Sequence, residues 1–285
     1  MKKLSKKQWI VAVIAAALIG LIAWTVWGNT ALEANAYTLV SNRLPNGFSG
    51  FRIAQVSDLH NAQMGEGNEK LLAMLREAEP DIIVITGDMV DSYHTDIDIA
   101  LRFAEDAMQI APCYYVTGNH EARIAGYGKL KTGLESAGVI VLKNHRIELE
   151  RSGETIALVG VDDPSFQTAY LTGDPATVMS GVLNKLTGND AYTILLSHRP
   201  ELFETYAESG IDLVFTGHAH GGQFRLPFIG GMVAPNQGLF PKYDSGLYTQ
   251  GNTNMLVSRG IGNSIVPIRF NNRPEIIVVE LLTEE

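Results

Sequence analysis

The chain of 285 residues is 46% hydrophobic and 19% charged, which excludes a disordered or low-complexity protein and leaves ample material for a core. Its formal charge is −9, and without Lys2, Lys3, Lys6 and Lys7 the remainder holds 18 basic against 31 acidic side chains, or −13, a surface that repels polyanions and excludes general nucleic-acid binding. Cys113 is the sole cysteine, so an intrachain disulfide and a thiolate zinc cluster are both excluded.

Residues 9–27 form a 19-residue apolar run whose only polar side chain is Thr25. As a helix it would be ~28 Å long, close to the ~30 Å hydrocarbon core of a bilayer. Trp24 and Trp27 fall where an interfacial aromatic belt is expected. Four lysines precede the run and no Lys or Arg follows until Arg43, which predicts the N-terminus inside and the remainder outside. The length and the lysine flank argue against a buried core helix. A cleaved signal peptide is the other alternative, with Ala34-Asn35-Ala36 as the cleavage site and Tyr37 beginning the mature chain. An apolar run of this length exceeds the usual ~7–15 residues of a signal peptide, so an uncleaved anchor is preferred. The expected division is therefore a lysine-rich transmembrane signal anchor with its linker in 1–36 and a single domain in 37–285, on the extracytoplasmic side.

Beyond Tyr37, β-type runs are expected at 51–56, 81–85, 113–116, 139–142, 156–161, 192–196, 212–215, 254–257 and 275–281. Between the early runs lie helical patterns. In 68–78 the apolar residues Leu71, Leu72, Met74 and Leu75 share one stripe, and Pro80 ends it. Residues 97–110 and 128–137 follow the same pattern, terminated by Pro112 and Gly138. Residues 146–150 and 155–159, joined through Ser152-Gly153, are expected to form a hairpin. A first half of βα units and a second half richer in direct β connections predicts an α/β domain of two sheets covered by helices.

Five of these apolar runs end in polar residues that a core would not hold. They lead into Ser57-Asp58-Leu59-His60, Thr86-Gly87-Asp88, Thr117-Gly118-Asn119-His120-Glu121, Ser197-His198 and Thr216-Gly217-His218-Ala219-His220. In open α/β sheets ligands bind beyond the carboxyl ends of strands, so these residues are expected to meet. The spacing of Asp58 and His60, and of His218 and His220, would turn both members of each pair one way in extended backbone. Glycines at 87, 118 and 217 would let the chain turn sharply there. Asp58, His60, Asp88, Asn119, His198, His218 and His220 supply seven nitrogen or oxygen donors and no sulfur. One metal needs about three or four protein ligands, so the set suffices for two with a shared carboxylate. Taken singly, each Asp fits a helix cap or turn and each His a hydrogen-bonded surface residue. Five of the seven histidines fall in these blocks, which favours a joint metal site.

The pattern Asp58-x-His60, Gly87-Asp88-x-x-Asp91, Gly118-Asn119-His120-Glu121, His198 and Gly217-His218-x-His220 resembles the calcineurin-like metallophosphoesterase superfamily. The run from Gly221 to Tyr243, with the N-terminal span, is similar to its membrane-anchored or exported bacterial branch, the YkuE/YaeI type. The resemblance implies a four-layer α-β-β-α sandwich. It also implies two divalent metal ions such as manganese, iron or zinc, one held by Asp58, His60 and His220, the other by Asn119, His198 and His218, with Asp88 between them. The implied activity is hydrolysis of a phosphomonoester or phosphodiester, including a lipid-linked one, by metal-activated hydroxide. His120 matches the family's non-ligand catalytic histidine. Relatives in the branch also suggest a UDP-diacylglucosamine hydrolase of lipid A synthesis, and a metal-binding scaffold without catalysis is the alternative of another class.

Asp91 and Glu121 fit ligand-orienting carboxylates about as well as turn or cap residues. His94 and His145 are read as structural, and Asp162-Asp163-Pro164 as a surface loop. The apolar residues of 221–243, among them Phe224 and Phe228, are expected to form a wall beside the metals or else a local core under the loop, with Arg225 or Lys242 touching a second phosphate.

Overall fold

A computed structural model describes residues 5–167, 173–188, 190–263 and 266–284. Lys2 and Lys3 of the basic flank lie outside the described residues. In chain order the elements are α1 (Lys6–Thr30), β1 (Glu33–Ser41), β2 (Phe51–Val56), α2 (Glu69–Ala78), β3 (Ile82–Thr86), α3 (Ile97–Met108), β4 (Cys113–Val116), α4 (Tyr127–Ser136) and β5 (Ile140–Val141). Then follow β6 (His145–Arg151), β7 (Glu154–Gly160), α5 (Pro175–Leu183), β8 (Thr193–Leu196), α6 (Phe203–Glu208) and β9 (Leu213–Thr216). Four two-residue strands come next: β10 (Arg225–Leu226), β11 (Gly230–Gly231), β12 (Val233–Ala234) and β13 (Gly238–Leu239). The chain closes with β14 (Gly246–Gln250), β15 (Thr253–Val257) and β16 (Glu275–Thr283).

Two six-stranded sheets carry the fold, in the orders β1-β16-β2-β3-β4-β5 and β14-β15-β9-β8-β7-β6. Their central strands run parallel, so both faces are covered and the sequences are unbroken apolar runs. The two-residue side-chain period sorts them into layers. On β3, Ile83 and Ile85 pack with Leu71, Leu75, Phe103 and Leu134 of α2, α3 and α4. Ile82 and Val84 face the other way, onto Ile194, Leu196, Leu213 and Phe215 of the second sheet. On the far side of that sheet, Leu195 and Val214 meet Met179, Leu183, Phe203 and Tyr206 of α5 and α6. The result is the four-layer α-β-β-α sandwich. The hairpin of β6 and β7 turns through Ser152 (φ 55) and Gly153 (φ 79), the left-handed pair that a two-residue turn requires.

The structure adds elements that the sequence pattern does not display. Helices α5 and α6, strand β14 and the two short hairpins β10–β11 and β12–β13 are among them. The most consequential is β1, which begins at Glu33, inside the expected linker, and pairs in parallel with β16 from Glu33↔Glu275 to Ser41↔Thr283. The division at 36/37 therefore cuts through a strand of the first sheet. Glu33 also receives ion pairs from Arg259 and Arg273.

Helix α1 stands off the body. Its most apolar 18-residue window has a mean hydropathy of 2.5 and none of it is buried, so it is not a core helix. It is long and apolar enough to cross a membrane. Its last turn is fastened to the domain: Asn29 Nδ2 donates to the Arg269 carbonyl and Asn29 Oδ1 accepts the Arg269 N–H, each at 2.8 Å. The Arg273 guanidinium lies 5.0 Å over the Trp27 ring and donates to the carbonyls of Ala31 and Leu32.

Candidate metal centre

The loops after β2, β3 and β4 in one sheet and after β8 and β9 in the other converge at one edge of the sandwich. Asp58, His60, Asp88, Asn119, His120, His198, His218 and His220 are all buried there. The structure brings Asp58, His60 and His220 into one group, with ligand-capable atoms within 4.8 Å of one another, and Asp88, His198 and His218 into a second.

The local backbone differs from the extended form expected for the Asp-x-His and His-x-His pairs. Asp58, His60, Asp88, His218 and His220 all have left-handed φ, between 44 and 66°. This conformation costs a non-glycine residue ~1–2 kcal/mol, so the surrounding fold must impose it. Gly87 (φ 87°) is a turn glycine as expected, and a Cβ there would also meet the Gly118 backbone nitrogen at 2.6 Å and His198 Nδ1 at 2.8 Å. Gly217 serves close approach instead: a Cβ would collide with Ser57 Oγ and the Asp58 carboxylate.

Each carboxylate is held by the protein on one side and turned to imidazoles on the other. Ser57 Oγ donates to Asp58 Oδ2 at 2.6 Å, and the His218 N–H is shared between both Asp58 oxygens. Asp58 Oδ1 lies 3.4 Å from His220 Nε2 and 3.8 Å from His60 Nε2. Asp88 Oδ1 accepts the His120 N–H at 2.8 Å, while Oδ2 lies 3.1 Å from His198 Nε2 and 3.6 Å from His60 Nε2. Asp88 thus reaches into both groups. His198 Nδ1 bonds the Thr86 carbonyl at 2.7 Å, which requires a proton on Nδ1 and leaves Nε2 facing Asp88.

The charges in the cluster are strongly shifted. Burial disfavours charge on His60 and His198, yet adjacent carboxylates outweigh it and raise them to about 9 and about 10. Burial keeps His220 neutral, down to about 3, and His218 well below the usual histidine value, helped there by Arg199. Although burial opposes their ionisation, the histidines hold both Asp58 and Asp88 well below the ordinary carboxylate range. Both ring nitrogens of His60 and Oδ1 of Asn119 are buried without a hydrogen-bond partner. Carboxylate oxygens stand 3.6–3.8 Å from the His60 nitrogens, near enough to attract and too far to bond. Two carboxylates, an amide oxygen and imidazole lone pairs, buried and partly unpartnered, are a donor set that suits divalent cations.

Around this core, Glu121 is fully buried and accepts the N–H groups of Asp88, Met89 and Gly118 at 2.8–2.9 Å, so it ties the β3 and β4 loops together. Asp91 Oδ1 accepts from the N–H groups of Tyr93 and His94, and its Oδ2 lies 3.7 Å from the Nδ1 atoms of both His60 and His120. The Ser92 N–H donates to His120 Nδ1 at 2.9 Å. Burial lowers the proton affinity of His120.

One expectation is corrected, and the structure places the remaining candidates. Asp162 and Asp163 are not a surface loop: both are buried, and Asp163 forms a bidentate pair with Arg199 at 2.5 and 2.9 Å. The same Arg199 reaches His218 Nε2 at 3.0 Å. Arg225 is held within the protein by Asp244 at 3.0 Å, whereas Lys242 is exposed and pairs with the equally exposed Glu204 at 2.9 Å. His94, read as structural, is exposed and lines a cavity of about 750 Å³ with His60, Asp91, Tyr93 and Asn263. His145 is exposed on β6.

The sequence pattern missed the loop after β15. Gly260 and Gly262 pack against Asp58 and Leu59, and Asn272 Nδ2 donates to the His220 carbonyl at 2.7 Å. No strand end rich in Asp or His marks that loop, and a Gly-x-Gly in isolation is a weak signal.

The family model for calcineurin-like phosphoesterases matches residues 51–222. The chain is 31% identical over 295 aligned positions to the uncharacterized metallophosphoesterase YkuE of Bacillus subtilis, covering 99% of each. It is 28% identical to phosphodiesterase YaeI of Escherichia coli, over 88% of this chain and 90% of that protein. A transmembrane protein with metallophosphoesterase domain from Danio rerio is 30% identical over 84% of this chain and 55% of its own. The solved structure of TT1561 from Thermus thermophilus shares the fold, with a TM-score of 0.50 at 14% identity over 75% of this chain and 91% of that one. With the sandwich and the buried donor set, these likenesses mean that the chain belongs to the calcineurin-like phosphoesterase family and is a metal-dependent phosphoesterase.

Proposed function

We propose that the protein hydrolyses a phosphate ester with a pair of divalent metals, one held by Asp58, His60 and His220 and the other by Asn119, His198 and His218, with Asp88 shared. The single observation that carries this reading is Asp88 Oδ2, which stands 3.1 Å from His198 and 3.6 Å from His60 and so belongs to both groups. Bound metals would supply an activated water and positive charge for the phosphoryl oxygens. The protein's own part is to fix the ligands before substrate arrives: Glu121, Ser57 and the left-handed backbone do so. His120 acts on the substrate directly. The Ser92 N–H donates to its Nδ1, so the proton of the neutral ring sits on Nε2, where it hydrogen-bonds the phosphoryl or leaving-group oxygen. The diester reading draws support from the relative named a phosphodiesterase. No position of the proposed donor set is replaced by an apolar residue, which favours catalysis over a scaffold.

We read α1 as an uncleaved anchor with the domain on the extracytoplasmic side. Cleavage after Ala36 would remove four residues of β1 and the ion pairs of Glu33 with Arg259 and Arg273. The test is metal content and phosphoesterase activity of the detergent-solubilised full chain. About two metals per chain with cleavage of an aryl phosphodiester or monoester is the expected result. Metal bound without turnover of any ester would favour the scaffold.

A further inference from the structure

Four large apolar side chains outside the catalytic machinery are exposed on two neighbouring hairpins. Phe228 and Ile229 form the tip between β10 and β11, and Leu239 and Phe240 stand at the end of the β12–β13 hairpin. They are not a local core under the loop: Phe228 is wholly exposed and Leu239 is 73% exposed. The hairpins are joined through Met232, whose N–H donates to the Phe224 carbonyl and whose carbonyl accepts the Phe240 N–H, both at 2.8 Å. Scattered apolar residues are ordinary on a soluble surface, whereas a cluster of this kind marks a face that meets something apolar.

Beside these hairpins a cavity of about 300 Å³ is walled by Val233, Ala234, Pro235, Val266 and the metal-site residue His220. Gln223 also borders it, but its Nε2 is bonded to the carbonyls of Val266 and Ile268 at 2.8 and 2.7 Å. The cavity is therefore apolar along most of its wall and ends at the chemistry.

The occupant follows from what the wall is attached to. Asn29, in the last turn of α1, holds both backbone groups of Arg269. The next residue, Phe270, accepts the Arg225 N–H at 3.0 Å, and Phe224 and Phe270 form a β-bridge. Phe228 is three residues beyond Arg225, ~10 Å of extended chain. A path of chain and hydrogen bonds thus links the end of the membrane-competent helix to the exposed tip and, through Gln223 and Val266, to the wall of the cavity. We propose that Phe228, Ile229, Leu239 and Phe240 sit in the surface of the bilayer that α1 crosses, and that the cavity behind them receives the hydrocarbon chain of a lipid phosphate ester, whose phosphate then lies at the metal site. This rests on the anchor and phosphoesterase readings above.

The test uses the full chain in vesicles of phosphatidylethanolamine and phosphatidylglycerol. Cys113 is buried and burial raises its thiol to about 12, so it stays unlabelled. An environment-sensitive fluorophore is placed on Phe228→Cys and, as control, on Glu150→Cys at the exposed face of β6. Doxyl-chain lipid should quench the label at 228 at least twofold and leave that at 150 unchanged; equal or absent quenching overturns the bilayer seat. Val233→Trp, which fills the cavity, should lower turnover of a long-chain lipid phosphate at least tenfold while turnover of a water-soluble aryl phosphate stays within twofold. Equal effects on both esters overturn the chain site. If the metal-loaded parent chain cleaves neither ester while the label at 228 is quenched, the phosphoesterase reading fails and the bilayer seat stands.

Discussion

His120 is the residue whose proposed role is most sharply separable from metal binding. Its Nδ1 is occupied by the Ser92 N–H, and its ring lies 4.5 Å from that of His60. His120→Ala should keep the metal content while lowering kcat by about 10²–10⁴-fold, the usual worth of a positioned proton donor. Metal analysis beside steady-state kinetics reads both, and loss of metal would reassign the residue as a ligand. Glu121 acts one step back. Glu121→Gln replaces one acceptor oxygen by an NH₂ that faces backbone N–H donors, so it should destabilise the fold by ~1–3 kcal/mol and weaken metal binding. Thermal unfolding and metal titration check this, and unchanged values in both would show that the loops hold themselves. Asp163→Asn should cost more, ~3–5 kcal/mol by denaturant unfolding, because it removes the carboxylate that pairs twice with the buried Arg199 guanidinium. A loss under 1 kcal/mol would mean that the pair Arg199 already makes with Glu201, at 3.5 Å, is enough to hold it. At this scale the sequence displayed the candidate donors, because Asp, Asn and His recur after five apolar strands and five of the seven histidines fall there. It did not display the left-handed backbone of Asp58 or His220, since φ at these positions is imposed by contacts such as Gly217 against Ser57.

Among the elements, β1 carries the clearest consequence. The stretch from Glu33 to Tyr37 alternates polar and small residues and lacks an apolar run, so nothing local marks it as a strand. It exists because β16, some 240 positions later, offers a free edge and because Arg259 and Arg273 meet Glu33. The strands 51–56 and 113–116 are legible for the opposite reason: they are buried on both faces, and burial alone dictates their composition. A soluble fragment beginning at Ala31 should therefore unfold at a higher temperature than one beginning at Tyr37. With ~2–3 kcal/mol lost in strand hydrogen bonds and ion pairs, the difference should be ~5–10 °C. Equal melting temperatures would show that residues 33–36 contribute nothing and would revive cleavage at Ala36. The β10–β13 hairpins were not legible as strands, having two residues each, but their apolar content was visible.

On the scale of the whole molecule, the candidate site joins the two sheets. Asp58, Asp88 and Asn119 come from the ends of β2, β3 and β4, whereas His198, His218 and His220 come from β8 and β9 of the other sheet. A metal pair bound there would bridge the layers at the edge where the central core opens to the loops. Chelation should then lower the melting temperature as well as abolish activity. At a thousandfold excess of metal over Kd each ion stabilises by ~4 kcal/mol, which corresponds to ~10 °C for a domain of this size. An unchanged melting temperature after metal removal would mean that the site is exposed to ions but does not bind them.

The most direct measurement is metal content and phosphoesterase activity of the purified full chain, with Asp88→Asn and His120→Ala prepared in parallel. The dinuclear account predicts about two divalent ions per parent chain, fewer ions and no turnover in Asp88→Asn, and unchanged ions with greatly reduced turnover in His120→Ala. A parent chain that binds no metal, or an Asp88→Asn variant with full metal and full activity, would contradict it.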